Sequence, residues 1–202
     1  MKVFGIGLNK TGTTTLGDAF RLMGLRHVST RPPLLKDWVE GRRDRVWAVV
    51  DDHDSFEDWP WPFVYEEAFE RYEDARFVLT LRESPEAWLK SLKKHSLRTP
   101  PFRHCRKLAY GYDYPFGNEA AHLDFYRRHT EAVTDFFASR AQDRLLTVSW
   151  EDGAGWDELC AFTGLPKPDV PFPHARSSEQ IAPPSRKRVY ANRLLARYFG
   201  PV

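Results

Sequence analysis

The chain is poor in cysteine, with only Cys105 and Cys160 in 202 residues, and the two stand far apart. That excludes a disulfide framework and a cysteine-built metal cluster, and points to a reducing compartment. Excess charge is also missing. Thirty Lys and Arg against 28 Asp and Glu leave a formal net charge of +2. Without a long block of like charges, this gives neither a nucleic-acid footprint nor a binding tail. Long apolar runs are absent too. The run Val3 to Leu8 is too short for a signal-peptide core or a membrane span, so a cytoplasmic protein without a membrane span is expected. There is no internal repeat or low-complexity tract, and residues 1–202 are expected to form one domain with a central sheet.

What the chain does have is concentrated at its start. Val3-Phe4-Gly5-Ile6-Gly7-Leu8 runs directly into Asn9-Lys10-Thr11-Gly12-Thr13-Thr14-Thr15-Leu16. A short β-forming run, a Gly/Thr-rich turn and an amphipathic helix together make an anion site. Successive amides of the turn converge, and the helix aims its positive dipole end at the same point. The nucleotide-hydrolase loop reads G-x-x-x-x-G-K-S/T. Here Gly7 and Gly12 have the right spacing, but Thr13 stands where that lysine belongs and Lys10 precedes Thr11-Gly12.

Farther along, Leu16, Ala19, Phe20 and Met23 recur at helical spacing, and Gly24 suits the helix end. His27 to Ser29 reads as a brief strand, Arg31-Pro32-Pro33 as a loop, and Leu34 to Glu40 as a helix. Val46 to Asp51 has the residues of a buried strand ending in an aspartate, as the metal-binding strand of a nucleotide hydrolase would. Trp59-Pro60-Trp61-Pro62 marks a rigid turn. Phe63 to Tyr72 then reads as a helix, and Arg76 to Arg82 as a buried strand. Ser84 and Pro85 suit the N-cap and first residue of the next helix.

A segment at about 95–118, rich in proline, aromatics and basic residues, reads as an irregular lid or acceptor-pocket excursion. Helices are expected at Glu119 to Arg140, Trp156 to Thr163 and Arg186 to Phe199, a strand at Leu145 to Trp150, and a loop at Pro166 to Pro184. Alternating strands and helices imply a three-layer α/β fold: a mostly parallel sheet between helices, with ligands outside the carboxyl ends of the strands. Lys10, Asp58 and Arg82 each fall at such an end.

Four stretches together resemble the P-loop sulfotransferases that use 3′-phosphoadenosine 5′-phosphosulfate (PAPS), in particular their compact stand-alone branch. They are Phe4 to Leu16; Asp54-Ser55-Phe56-Glu57-Asp58-Trp59-Pro60; Phe77-Val78-Leu79-Thr80-Leu81-Arg82-Glu83-Ser84-Pro85 with Trp88 and Ser91; and Gly153-Ala154-Gly155-Trp156 with Leu159-Cys160. The likeness spans roughly residues 3 to 175. It implies a P-loop NTPase-like sulfotransferase fold and PAPS as co-substrate, with no metal. Lys10 and the amides of Thr11, Gly12, Thr13, Thr14 and Thr15 would hold the 5′-phosphosulfate, and Arg82 and Ser91 the 3′-phosphate. Many relatives place the serine eight residues after the arginine. Here Ser91 is nine after Arg82, so Ser84 remains an alternative. For the ambiguous segment 45–58 the resemblance implies instead a helix, where Val46 to Asp51 suggests a strand, followed by a short strand of the form Y-D-A-F-x-D at His53-Asp54-Ser55-Phe56-Glu57-Asp58.

The activity so implied is in-line transfer of a sulfuryl group to a hydroxyl or amine of a small-molecule, lipid or carbohydrate acceptor. Lys10 would stabilise the leaving charge. Asp58, beside an apolar turn, is the first choice of base, with Asp54 and His53 as alternatives. Trp59 and Trp61 are candidates for the border of an acceptor pocket, and Arg186-Lys187-Arg188 for a cover over the 3′-phosphate. Other classes stay open: a kinase or nucleotide hydrolase with Asp51 or Asp52 on the metal, and a non-catalytic nucleotide-binding protein of the same fold.

Overall fold

Val3–Gly5 (β1) is fully buried, as befits a strand covered on both faces. It lies at the centre of a five-stranded sheet ordered β2-β3-β1-β4-β5, in which β2 is His27–Val28, β3 Ser55–Phe56, β4 Arg76–Thr80 and β5 Leu145–Val148. Every pairing is parallel. The computed structural model describes residues 1–99, 105–173 and 185–198. The helices are α1 (Thr13–Leu22), α2 (Pro32–Val39), α3 (Arg43–Asp51), α4 (Tyr65–Arg71), α5 (Pro85–Ser96), α6 (Cys105–Tyr110), α7 (Glu119–Arg140), α8 (Trp156–Thr163) and α9 (Arg186–Tyr198). This is the three-layer α/β architecture that the alternation of strands and helices implies.

The two-residue period of the strands divides the core. Phe4, Phe56 and Phe77 point to one face, where they meet Trp61 and Phe137 of α7. Val3 and Val78 point to the other, against Leu16, Ala19 and Phe20 of α1 and Trp156 and Leu159 of α8. A third cluster gathers Leu8, Leu35, Trp59, Trp88, Leu92, Cys105, Tyr110 and Tyr126. It packs against the residues that follow β1 and β3, so the carboxyl edge of the sheet has an apolar bed of its own.

Several boundaries differ from expectation. The residues at 46–51 form the end of α3, not a strand. Val46, Trp47 and Val50 are buried while Ala48 is exposed, which is helical spacing rather than a strand covered on both sides. Pro32 and Pro33 open α2 instead of lying in a loop, because the first turn needs no intrahelical N–H. The predicted helix at 63–72 splits into a short 3-10 turn, Trp61–Phe63, and α4. β5 stops at Val148, and Trp150–Asp152 turns away as a 3-10 segment. The segment at 95–118 contains α6, while 100–104 lie outside the described residues. So do 174–184 of the expected loop and residue 199 of the expected last helix. Among the described residues no helix is long and apolar enough to cross a membrane.

Gly7 is fixed by proximity. A Cβ there would lie 2.1 Å from Thr80 Oγ1 and 2.5 Å from the Thr80 carbonyl oxygen. The main chain of β4 cannot retreat without breaking its pairing. Gly7→Ala is therefore expected to destabilise the fold by about 1–3 kcal/mol, read as a lowered midpoint in urea unfolding; an unchanged midpoint would contradict this close approach.

Candidate active site

The residues after β1 make a tight loop into α1. Lys10 takes a left-handed conformation at φ +74°, as does Gly12 at φ +94°. A Cβ on Gly12 would also lie 2.3 Å from the Trp150 ring. Thr11 is buried. Its amide and its hydroxyl both donate to the Leu8 carbonyl, at 3.2 and 2.6 Å. Its Oγ1 is also 2.6 Å from Thr80 Oγ1, which leaves Thr80 as the donor in that contact. The α1 N-terminus has no side-chain cap and no acidic residue in its first turn. Its dipole end is thus left for another anion. Thr13 and Thr15 are buried and Thr14 is half-buried in that turn.

Three further elements hold this loop from outside. Trp88 of α5 donates its indole N–H to the Asn9 carbonyl at 2.8 Å. The Tyr110 hydroxyl of α6 donates to Asn9 Oδ1. Trp150, just beyond β5, donates to the Gly12 carbonyl at 3.1 Å. The neighbouring Glu151 pairs with Arg82, Nη2 to Oε1 at 2.5 Å, and accepts the Glu83 amide at 3.0 Å. One short turn after β5 therefore grips both the loop and the arginine. Arg82 keeps a buried Nε with no hydrogen-bond partner, and its own amide donates to the Tyr126 hydroxyl at 3.2 Å. Ser91 is half-buried on α5, one turn after Trp88. Ser84 is the N-cap of α5, accepting the Ala87 amide at 3.1 Å, so its oxygen has structural work already.

The candidate bases separate by the end of the sheet they occupy. Asp58 follows β3 at the carboxyl edge, half-buried and left-handed at φ +64°, and its Oδ1 accepts the Trp59 amide at 2.8 Å. Its charge reaches the adjoining cluster. Burial, then the Asp58 carboxylate, pushes the Cys105 thiol up to about 11, and the same two causes raise the Tyr110 phenol. Asp54 precedes β3 and receives two Arg26 guanidinium hydrogen bonds and the Arg26 amide, all at 3.0 Å. His53 lies beside it and donates from Nδ1 to the Val49 carbonyl at 2.8 Å. Both alternatives thus sit at the amino edge, away from the loop.

The features of a nucleotide hydrolase fare no better. Asp51 ends α3 and accepts the Tyr72 hydroxyl at 2.6 Å, and Asp52 caps that helix. His129 donates to the Ile6 carbonyl at 2.8 Å and braces β1. Trp59 and Trp61 are buried in the core, and Arg186, Lys187 and Arg188 are exposed at the start of α9. No group of three or more His, Cys, Asp or Glu placed to hold a metal ion occurs among the described residues.

Residues 2–110 and 95–181 match the family described as Sulfotransferase domain. The chain belongs to this sulfotransferase family. It is also similar to "Ava biosynthesis cluster protein M" of Aspergillus versicolor, with 28% identity over 220 residues, covering 89% of this chain and 82% of that protein. In this sulfotransferase-family protein, sequence reading overlooked Asn9, Thr80, Tyr110 and Glu151. Thr80 had a legible signal as a polar residue within an expected buried strand, two before Arg82. Glu151 had one in following β5, but Asn9 and Tyr110, which bond to each other, are 101 residues apart and leave no local trace.

Arg26 hydrogen bonds hold the Asp54 carboxyl below the usual carboxylate range. A depressed pKa stabilises the fold above the unfolded-state value, and that contribution disappears as pH falls through the folded-state value. Asp54→Asn should thus lower the urea midpoint at neutral pH, with the gap from the parent closing on acidification; a gap independent of pH would contradict this charge pairing.

Proposed function

We propose that this protein is a PAPS-dependent P-loop sulfotransferase that transfers a sulfuryl group in line to a hydroxyl or amine of a small-molecule, lipid or carbohydrate acceptor. The observation that carries the reading is the coupling of two cationic anchors at one edge: the loop bearing Lys10 is bonded to β4 through Thr11 and Thr80, and Arg82 emerges two residues beyond. The Trp150-Glu151 turn ties the same two features together. The residues fit an adenylate with phosphates at both ends. Gly12 has no room for a side chain beneath Trp150, the α1 dipole end lacks an anion from its own first turn, and Arg82 Nε lacks a partner. When bound, PAPS supplies an activated sulfuryl group on a phosphate leaving group.

The chain's own contributions follow from position. The amides of Gly12, Thr13, Thr14 and Thr15 and the Lys10 ammonium orient the 5′ end, whereas the Thr11 amide is already committed to the Leu8 carbonyl, and the ammonium stabilises negative charge that grows on the leaving side. Arg82, with Ser91 on the helix that Trp88 fastens to the loop, holds the 3′-phosphate through a guanidinium fork and a hydroxyl. Glu151 preorganises that fork and yields one N–H to the phosphate. Asp58 takes the acceptor proton. Its place at the carboxyl edge, next to Tyr110 and Cys105, supports it over Asp54 and His53. The segment at 95–118 would complete the acceptor side of a single 1–202 domain, in a cytoplasmic protein.

The test is calorimetry without magnesium, using 3′-phosphoadenosine 5′-phosphate and, separately, 5′-AMP. The bisphosphate should bind at least tenfold tighter, equivalent to about 1.4 kcal/mol, and Arg82→Ala should erase most of that difference. Equal binding of both nucleotides, or magnesium-dependent ATP turnover instead, would overturn the reading. In a transfer assay Lys10→Ala should cost about a hundredfold in rate, near 3 kcal/mol. Asp58→Asn should cost about a hundredfold or more, whereas Asp54→Asn should leave the rate nearly unchanged.

A further inference from the structure

The aromatic cluster on the loop's outer side contains a histidine that the chemistry above does not use. His122 of α7 is 1% exposed. Its Nδ1 donates to the Asn118 carbonyl at 2.8 Å, which fixes the proton on Nδ1 and the lone pair on Nε2. Nε2 is buried and has no hydrogen-bond partner. Such an atom is uncommon in a folded protein and asks for an explanation. Burial holds the His122 pKa below its ordinary value. The Asn118 carbonyl and Glu119 pull it up and Arg106 pulls it down. At neutral pH the ring is uncharged, with its lone pair available.

The surroundings define what that lone pair would meet. The ring lies 5.3 Å from Tyr110 and 5.6 Å from Tyr112 by centroids. Tyr110 in turn contacts Trp59 at 5.5 Å and Phe125 at 5.1 Å, and its hydroxyl reaches Asn9, the residue before Lys10. The Trp59 indole N–H is a second buried polar atom with no partner. Two orphaned groups, one acceptor and one donor, thus pack against the ring that touches the anion loop. The outer wall is different in kind. Tyr112 is 39% exposed and follows Gly111 at φ +83° in the turn between α6 and α7. It covers His122 without being locked into the core.

We propose that His122 recognises the acceptor: its Nε2 accepts a hydrogen bond from a hydroxyl carried on a flat, apolar frame, which enters beside Tyr110 when Tyr112 swings aside. This rests on the sulfotransferase reading and narrows its acceptor class. A lone pair needs a donor, and aromatic walls favour a flat apolar body that stacks on them. A carbohydrate would bring many hydroxyls to a place with two polar atoms to answer them, and each one left over would be costly. The hydroxyl held by His122 is not the one that is sulfated, since one O–H cannot serve two acceptors; His122 is a binding group here, and Asp58 takes the proton of the reacting hydroxyl.

The probe is 2-naphthol, added to the full chain saturated with 3′-phosphoadenosine 5′-phosphate, with histidine ring nitrogens followed by NMR. His122→Gln and His122→Phe assign the His122 resonances. The expected result is a saturable change at His122 Nε2 with 2-naphthol and none with glucose. His122→Phe should weaken 2-naphthol binding about tenfold while nucleotide affinity holds; His122→Gln, which restores an acceptor oxygen, should recover part of the loss. Tyr112→Ala should strengthen 2-naphthol binding. If the nucleotide binds but 2-naphthol leaves His122 Nε2 unmoved, the inference fails and the sulfotransferase reading stands. If the bisphosphate nucleotide does not bind at all, the underlying reading fails first and takes the inference with it.

Discussion

The contact between the Gly7–Thr15 loop and the end of β4 governs the rest of the site. Gly7 has no room for a side chain because Thr80 occupies it, and Thr11 closes the contact with a hydroxyl pair at 2.6 Å. Parallel pairing of β1 with β4, Gly5 opposite Val78, sets this proximity before any polar contact forms. The loop therefore has little freedom to drift from Arg82. Its left-handed residues, Lys10 and Gly12, turn the main chain into α1, which starts with no side-chain cap and no acidic residue in its first turn. An anion-binding geometry held by neighbouring strands is preorganised, and preorganisation is what makes a fixed charge effective against charge that develops during reaction.

Around that contact the protein uses large aromatic side chains as polar fasteners. Trp88, Tyr110 and Trp150 each bury an apolar body and spend one N–H or O–H on the loop. They arrive from α5, α6 and the turn after β5, so three separate parts of the chain position a few loop residues. Trp150 and Glu151 couple two sites of opposite need. One satisfies a carbonyl of the loop, and the other keeps a guanidinium oriented while leaving Nε without a protein partner. The acidic partner limits the positive field at Arg82.

Much of this was legible in the residues. The run Val3 to Leu8 and the Gly/Thr turn announced β1, the loop and α1, and Ser84-Pro85 announced the start of α5 with its cap. Glu119–Arg140 follows from long helical periodicity, and Trp156–Thr163 was expected as a helix. Reading failed where composition and period disagree. Val46 to Val50 has the β-branched residues of a strand, yet tertiary packing places Val46, Trp47 and Val50 on one side of a helix. The placement of Asp58 at one edge and Asp54 at the other was readable once β3 was known to run between them. The contact of Tyr110 with Asn9 was not readable, since only the folded chain brings these two residues near.

The central claim is that Lys10 and Arg82 serve one ligand from adjacent strand ends. A crystal structure of the protein with 3′-phosphoadenosine 5′-phosphate tests it most directly. The expected complex has the 5′-phosphate on the amides of residues 12–15 beside Lys10 and the 3′-phosphate against Arg82 and Ser91. A nucleotide whose 3′-phosphate lies in solvent or on another part of the fold, with Arg82 still closed on Glu151, would contradict it.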